Sequence, residues 1–149
     1  MTNYADRGKD AESIINKVLI KLALRADTAF YRLPDARAGS RRPTLSDYFM
    51  MHKGVTFLLE VKEIEHEYRL PHKNFEKDQV ARMRRFKFAG AKTYVLIYHS
   101  TLDKWRCSEL DFFETREGGS WDLRSLELQD LNDIIQTGET YTSVLVLPE

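Results

Sequence analysis

Two short β-like runs joined by two residues constrain this chain more than any other feature. Residues 45–52 and 55–63 are rich in β-formers, and only Lys53 and Gly54 stand between them, which reads as a hairpin with a tight turn. Folded about that turn, residues whose numbers add to 107 stand opposite one another, so Asp47 faces Glu60. A loop with an odd number of residues would shift this register, and Lys is not the Asn or Asp preferred at the first turn position. Alternation puts Val55, Phe57, Leu59 and Val61 on one face and Thr56, Leu58, Glu60 and Lys62 on the other. Glu60 and Lys62 therefore share a face.

Like charges opposed across a sheet are destabilising, and Asp disfavours strands, so facing carboxylates call for a reason. A divalent cation supplies one: Mg²⁺ takes oxygen ligands at about 2.0–2.1 Å, commonly one or two carboxylates plus water and phosphate oxygen. Lys62 would then orient and help deprotonate an attacking water, or neutralise charge developing on the phosphate. The alternative is a solvent-facing strand edge decorated with charges.

The rest of the chain gives this hairpin a setting. Ile14, Ile15, Val18, Leu19 and Leu22 recur at spacings of three and four, which predicts a helix over residues 6–26. A strand is expected over 28–33, followed by a polar loop, 34–43, containing Arg37, Arg41 and Arg42. Beyond a polar connection containing Pro71, residues 75–89 have helical periodicity and stop at Gly90, a C-terminal cap signal. The apolar run 92–99 predicts a strand central in the sheet. Strands over 105–108 and 143–147 and short helices over 109–114 and 128–135 complete the reading. At 149 residues, without a repeat or a long linker, the chain is expected to form one domain.

Composition narrows the class. With 31% charged residues, 7 Gly and 4 Pro, the chain is neither low-complexity nor built for a membrane. The absence of an apolar run near 18 residues, or of an apolar signal core after Met1, points to the cytosol. A single cysteine, Cys107, excludes an internal disulfide and a cysteine-based zinc site. The formal charge of zero hides an asymmetry: residues 1–92 hold 19 Lys or Arg against 12 Asp or Glu, and residues 93–149 hold 4 against 11. On charge alone this is chance patterning on solvated faces or a polyanion-binding surface; in the second case the polyanion is expected to meet the face built from residues 1–92, with the acidic segment lying away from it.

Further candidates lie around the hairpin. The second helix puts Phe75, Val80, Met83, Phe86 and Ala89 on one arc with Gln79 in its middle, and a buried glutamine needs hydrogen-bond partners. These are backbone groups of the sheet, or a water or phosphate near a metal. Glu12 stands at the shoulder of the first helix's apolar stripe, placed as a third acid or as a surface residue. Arg82, Arg84, Arg85 and Lys87 crowd the flanks of the second helix, with Lys73 ahead of it, and with Arg37, Arg41 and Arg42 they could track phosphates. His52, His66, His72 and His99 lack the third ligand that zinc would need, and read as surface residues or phosphate neighbours.

Asp47 in Ser46-Asp47-Tyr48, followed after thirteen residues by Glu60-Val61-Lys62, resembles the PD-(D/E)XK nuclease superfamily, whose core order is helix, three strands, helix, strand. Within it the chain is similar to the RecU family of Holliday junction resolvases. The shared pattern includes Arg7-Gly8 with Glu12, the acid and Glu-x-Lys spacing, Leu70-Pro71-His72-Lys73-Asn74-Phe75, and Gln79, Val80 and Met83 downstream. It covers residues 7–98, with a weaker echo over 105–113.

The resemblance implies an α/β fold with a restriction-endonuclease-like αβββαβ core over residues 6–99, its mixed central sheet flanked by helices, and an acidic extension over 100–149. It implies that Asp47, Glu60 and the Val61 carbonyl bind Mg²⁺, with Mn²⁺ as a substitute. Lys62 would act on water, Glu12 assist and Gln79 steady the site. It implies a homodimer that cuts branched DNA in two strands. The family's long stalk before the catalytic Asp is replaced here by the short 37–43 loop, which leaves open a nuclease of lower selectivity, acting on flaps, nicked or linear duplex. A noncatalytic DNA-binding module is the third reading, and pure binding has no need of facing carboxylates.

Overall fold

The computed structural model describes residues 4–34, 45–116 and 118–135, with only the backbone course given for residues 4–9. Arg37, Arg41, Arg42 and the strand expected over 143–147 lie outside the described residues. The elements in order are α1 (Tyr4–Leu22), β1 (Thr28–Arg32), β2 (Tyr48–His52), β3 (Val55–Ile64), β4 (Arg69–Pro71), a 3₁₀ turn (His72–Asn74), α2 (Gln79–Phe88), β5 (Lys92–His99), β6 (Lys104–Glu109), a second 3₁₀ turn (Leu110–Phe113), β7 (Ser120–Asp122) and α3 (Leu131–Ile134). The expected order of helix, three strands, helix and strand is present. Among the described residues no helix is long and apolar enough to cross a membrane.

Five strands form one mixed sheet in the order β1-β2-β3-β5-β6. β3 and β5 run parallel, joined by the crossover through α2, while the other pairs are antiparallel. β5 lies inside the sheet as expected, but the middle place belongs to β3. α1 lays Ala11, Ile15, Leu19 and Leu22 against Tyr48, Met50, Phe57, Leu59 and Leu96 on one face. α2 lays Val80 and Met83 against Leu58, Val95 and Ile97 on the other. β3 is thereby covered on both faces, and Leu58, Leu59, Glu60 and Val61 are consecutively buried.

The hairpin has the expected register. Tyr48 pairs with Leu59, Met50 with Phe57 and His52 with Val55. Lys53 and Gly54 both have positive φ, 48° and 79°, the combination that matches the right-handed twist of the flanking strands. A Cβ added at Gly54 would meet nothing within 4 Å, so the cost of a side chain there is conformational alone. Gly54→Ala is expected to lower stability by about 1 kcal/mol, seen as a lower denaturant midpoint at unchanged m-value.

Several boundaries differ from the sequence reading. α1 stops at Leu22 rather than residue 26, because residues 23–27 turn toward β1. α2 begins at Gln79 rather than residue 75: Asp78 takes a left-handed φ of 66°, which breaks any helix arriving from the Phe75 side. Phe75 therefore leaves the helical arc and packs in an aromatic cluster, 5.5 Å from Phe113 and 5.3 Å from Trp121 between ring centroids. Phe86 is 46% exposed and Ala89 is exposed too, so the buried arc is short. The cap at Gly90 is as expected, with φ 116°. Ala91 N–H donates to the Phe86 carbonyl at 2.9 Å and Gly90 N–H to that of Lys87 at 3.0 Å.

The connection around Pro71 contains a strand, β4, which pairs with β7 in a separate two-stranded sheet. Cys107 is buried in β6, and burial, aided by the charge of Glu109, pushes its thiol up to about 12. The thiolate is the reactive form, so a thiol reagent should label Cys107 only after unfolding, which absorbance of the released chromophore will follow.

Candidate active site

Asp47 sits one residue before β2, where the backbone ladder gives way to side chains. Its carbonyl accepts from Leu33 N–H at 2.8 Å, and its own N–H donates to Glu60 Oε1 at 3.1 Å. Its Oδ2 accepts from Val61 N–H at 2.8 Å. The predicted opposition of Asp47 and Glu60 is thus made by reciprocal side-chain-to-backbone bonds across the end of the hairpin.

Glu60 is 3% exposed, held in the middle strand with its carboxylate turned toward α2. Its Oε2 accepts from Gln79 Nε2 at 2.5 Å and forms an ion pair with Lys62 Nζ at 3.1 Å. Gln79 is the first residue of α2 and is buried; its partner is the carboxylate itself rather than the sheet backbone. Lys62 Nζ also donates to the Asn74 carbonyl at 2.6 Å and lies 4.6 Å from the centre of the Phe75 ring. Four candidates, Asp47, Glu60, Lys62 and Gln79, are therefore brought together.

The electrostatics follow from burial. Asp47's carboxyl is raised well above the usual range, first by desolvation and then by the charge of Glu60, with Val61 N–H and Lys62 pulling the other way. Two carboxylates sharing one partly shielded site cannot both ionise cheaply. Both are hard oxygen donors, and with a backbone carbonyl, water and substrate oxygens they fit a Mg²⁺-like ion. Among the described residues no group of three His, Cys, Asp or Glu converges on a point, so the donor set suits an ion that keeps water and substrate ligands.

Glu12 stands on the α1 face, where its partners are Arg32 and Tyr48. Its Oε2 accepts from Arg32 Nη2 at 2.7 Å and its backbone carbonyl from the Tyr48 hydroxyl at 3.3 Å. With Ser13 and Asn16 these residues line a cleft of about 250 Å³. Burial, then the charge of Glu12, push the Tyr48 phenol up to about 12, so it stays a donor. Arg32 carries no sequence signal, because β1 and β2 are joined by a long connection that leaves their register, with Arg32 opposite Tyr48, unfixed by any tight turn. Asn74 acts through its backbone and leaves no side-chain signal.

The cations of α2 require a correction to the expected charge layout. The acidic segment does not lie away from the basic face: Asp111 pairs with Lys87, and Glu114 stands 3.9 Å from Arg84. Arg82 is met by Glu76 at 3.2 Å and by the Lys77 carbonyl. The second 3₁₀ turn packs beside α2 in the shared core of that face, which brings the two charge populations together. Arg85 and Lys73 are exposed.

Two histidines are core residues rather than surface ones. His52 Nδ1 lies 2.7 Å from the Thr28 hydroxyl, and fully buried His99 lies between the His66 carbonyl and Arg106.

A family model described as Recombination protein U matches residues 7–142. Among solved structures, the chain is similar to Hjc, a Holliday junction resolvase from the archaeal hyperthermophile Archaeoglobus fulgidus. The TM-score is 0.55 at 20% identity, covering 83% of this chain and 96% of that one. No curated protein matches the chain.

Proposed function

This chain belongs to the Recombination protein U family, and from that premise we propose that it is a Holliday junction resolvase, a divalent-metal-dependent endonuclease that hydrolyses phosphodiester bonds in branched DNA. The observation that carries the reading is the opposition of half-buried Asp47 to buried Glu60, with Gln79 hydrogen-bonded and Lys62 ion-paired to the same Glu60 oxygen. A domain that only bound DNA would gain nothing from placing two carboxylates where one raises the other.

Asp47 and Glu60 would hold Mg²⁺, with Mn²⁺ as a substitute. A residue on an antiparallel ladder sends N–H and C=O to the same neighbour, so the Val61 carbonyl, like its N–H, leaves β3 on the Asp47 side and can add a third oxygen. The ion, when bound, supplies a Lewis acid that acidifies water and polarises the phosphate. Lys62 has three ammonium donors; one is given to the Asn74 carbonyl while the charge pairs with Glu60, and a remaining donor would serve the attacking water or a non-bridging phosphate oxygen. In the hydrolysis a new P–O bond forms from water as the opposite P–O ester bond breaks. Gln79 fixes the rotamer of Glu60 by holding Oε2, and Gln79→Ala is expected to cost about 10–100-fold in cleavage rate or metal affinity, read from initial rates across a Mg²⁺ titration.

One site per chain and two strands to cut imply a homodimer acting in the cytoplasm on DNA. Glu12 assists from α1, and Lys73, Arg82, Arg84, Arg85 and Lys87, with Arg37, Arg41 and Arg42 of the 34–43 segment, serve the phosphate backbone. We propose residues 1–149 as a single nuclease domain. The short 37–43 loop favours a second reading, a nuclease acting on flaps, nicked or linear duplex. Competition decides between them: with a labelled four-way junction and Mg²⁺, unlabelled junction should suppress cleavage far better than linear duplex of equal length. Equal suppression by duplex overturns the resolvase reading, and absence of cleavage on every substrate overturns both.

A further inference from the structure

A cleft lies beyond the candidate active site, against the small β4–β7 sheet. It holds about 650 Å³ and is walled by His66, Arg69, His72, Lys73 and Ser120, with the glycine pair at 118–119. We propose that this cleft binds a backbone phosphate of the DNA strand next to the one being cut, a reading that rests on the nuclease function above.

The charge of the wall is of one sign. Arg69 and Lys73 are exposed. Arg69 Nη1 reaches the Ser120 hydroxyl at 3.3 Å, which aims the guanidinium along the cleft. Asp122, whose charge Arg69 feels, is clasped by Arg124 through bonds of 2.6–3.1 Å, so it is already neutralised. The cations of α2 are different, since Glu76, Glu114 and Asp111 meet three of them.

Of the two imidazoles, His66 adds a donor and His72 is fixed in the wall. His66 Nδ1 accepts from the N–H groups of Tyr68 and Arg69, both at 3.2 Å; in the neutral ring the proton then sits on Nε2, leaving a donor for the cleft. His72 Nε2 is buried without a hydrogen-bond partner, while its ring rests on Trp121 with centroids 4.2 Å apart. That stacking holds the imidazole in the wall of the cleft, where its resonances report on an occupant.

The cleft is also coupled to the chemistry. His72 N–H donates to the Gly119 carbonyl at 3.0 Å, which pins the 3₁₀ turn to the β7 side. The last residue of that turn, Asn74, gives its carbonyl to Lys62. A phosphate seated beside Lys73 would therefore fix the segment that positions the active-site lysine, and set the strand in register with it.

The test is fluorescence anisotropy of a labelled four-way junction in EDTA, across a salt series, with full-length protein carrying Arg69→Gln, Lys73→Gln, both, or Arg69→Lys. Each neutralised phosphate contributes about 0.9 to the salt slope on duplex DNA. The double variant should lose roughly that much slope and bind about tenfold more weakly, while Arg69→Lys keeps the slope. Wild-type slope and affinity in the double variant overturn the proposal. In a second arm, the His66 and His72 imidazole resonances are followed while inorganic phosphate, then DNA, is added. Both should move the same signals, and movement with phosphate but not with DNA overturns a DNA site. Failure of the resolvase reading appears as absent junction cleavage in Mg²⁺ and leaves these binding results readable.

Discussion

Asp47→Asn is expected to abolish cleavage, by at least about 10³-fold or roughly 4 kcal/mol of transition-state stabilisation, and yet to make the metal-free protein more stable. The activity loss follows from removing one of two anionic oxygen donors. The gain in stability follows from where the carboxyl lies: burial and Glu60 hold it well above the usual range, whereas in the unfolded chain it titrates normally, near about 3.9. A carboxyl raised in the folded state stabilises folding fully below its unfolded pKa, and that contribution is lost as pH rises through the raised value. Wild type should therefore weaken across this window in EDTA, and the variant should weaken less, since an amide oxygen can still accept from Val61 N–H without a charge. Mg²⁺ reverses the order, because a ligand at a hundred times its Kd adds about 2.7 kcal/mol to wild type alone. Thermal melts with EDTA and with Mg²⁺ at several pH values check both signs. A variant less stable than wild type in EDTA at neutral pH contradicts this electrostatic reading.

Lys62→Ala should lose activity too, by about 10²–10⁴-fold, but with the opposite effect on stability. Lys62 and Glu60 form a pair with side chains only 15% and 4% exposed, and removing one partner of a buried pair costs about 3–5 kcal/mol. The lower end is expected here, since Gln79 still donates to Glu60. Two inactive variants that move stability in opposite directions separate loss of chemistry from loss of fold. Denaturant titrations beside single-turnover cleavage measure both, and a Lys62→Ala protein as stable as wild type would show that the pair does not hold Glu60.

The legible part of this site is the part fixed by local rules. A two-residue turn between two β-rich runs sets a register, and the register alone opposes Asp47 to Glu60. Helical spacing similarly marked Gln79 as a polar residue on a buried arc, although its partner became visible only in three dimensions. Tertiary packing decided the rest. Phe75 reads as helical, but Asp78 adopts a left-handed conformation and frees Phe75 to join Phe113 and Trp121. Strands of three residues, one containing Pro71, have no period to detect, so the β4–β7 sheet and its cationic cleft left no trace in the pattern. Charge counted along the chain separates a basic part from an acidic one, whereas the fold sets Asp111 and Glu114 beside Lys87 and Arg84.

The most direct test of the account is anomalous diffraction from crystals soaked in Mn²⁺. It predicts one strong peak between the carboxylates of Asp47 and Glu60, within coordination distance of the Val61 carbonyl and absent from Asp47→Asn crystals. A soaked wild-type crystal with Mn²⁺ bound elsewhere, or with none at this site, would contradict it.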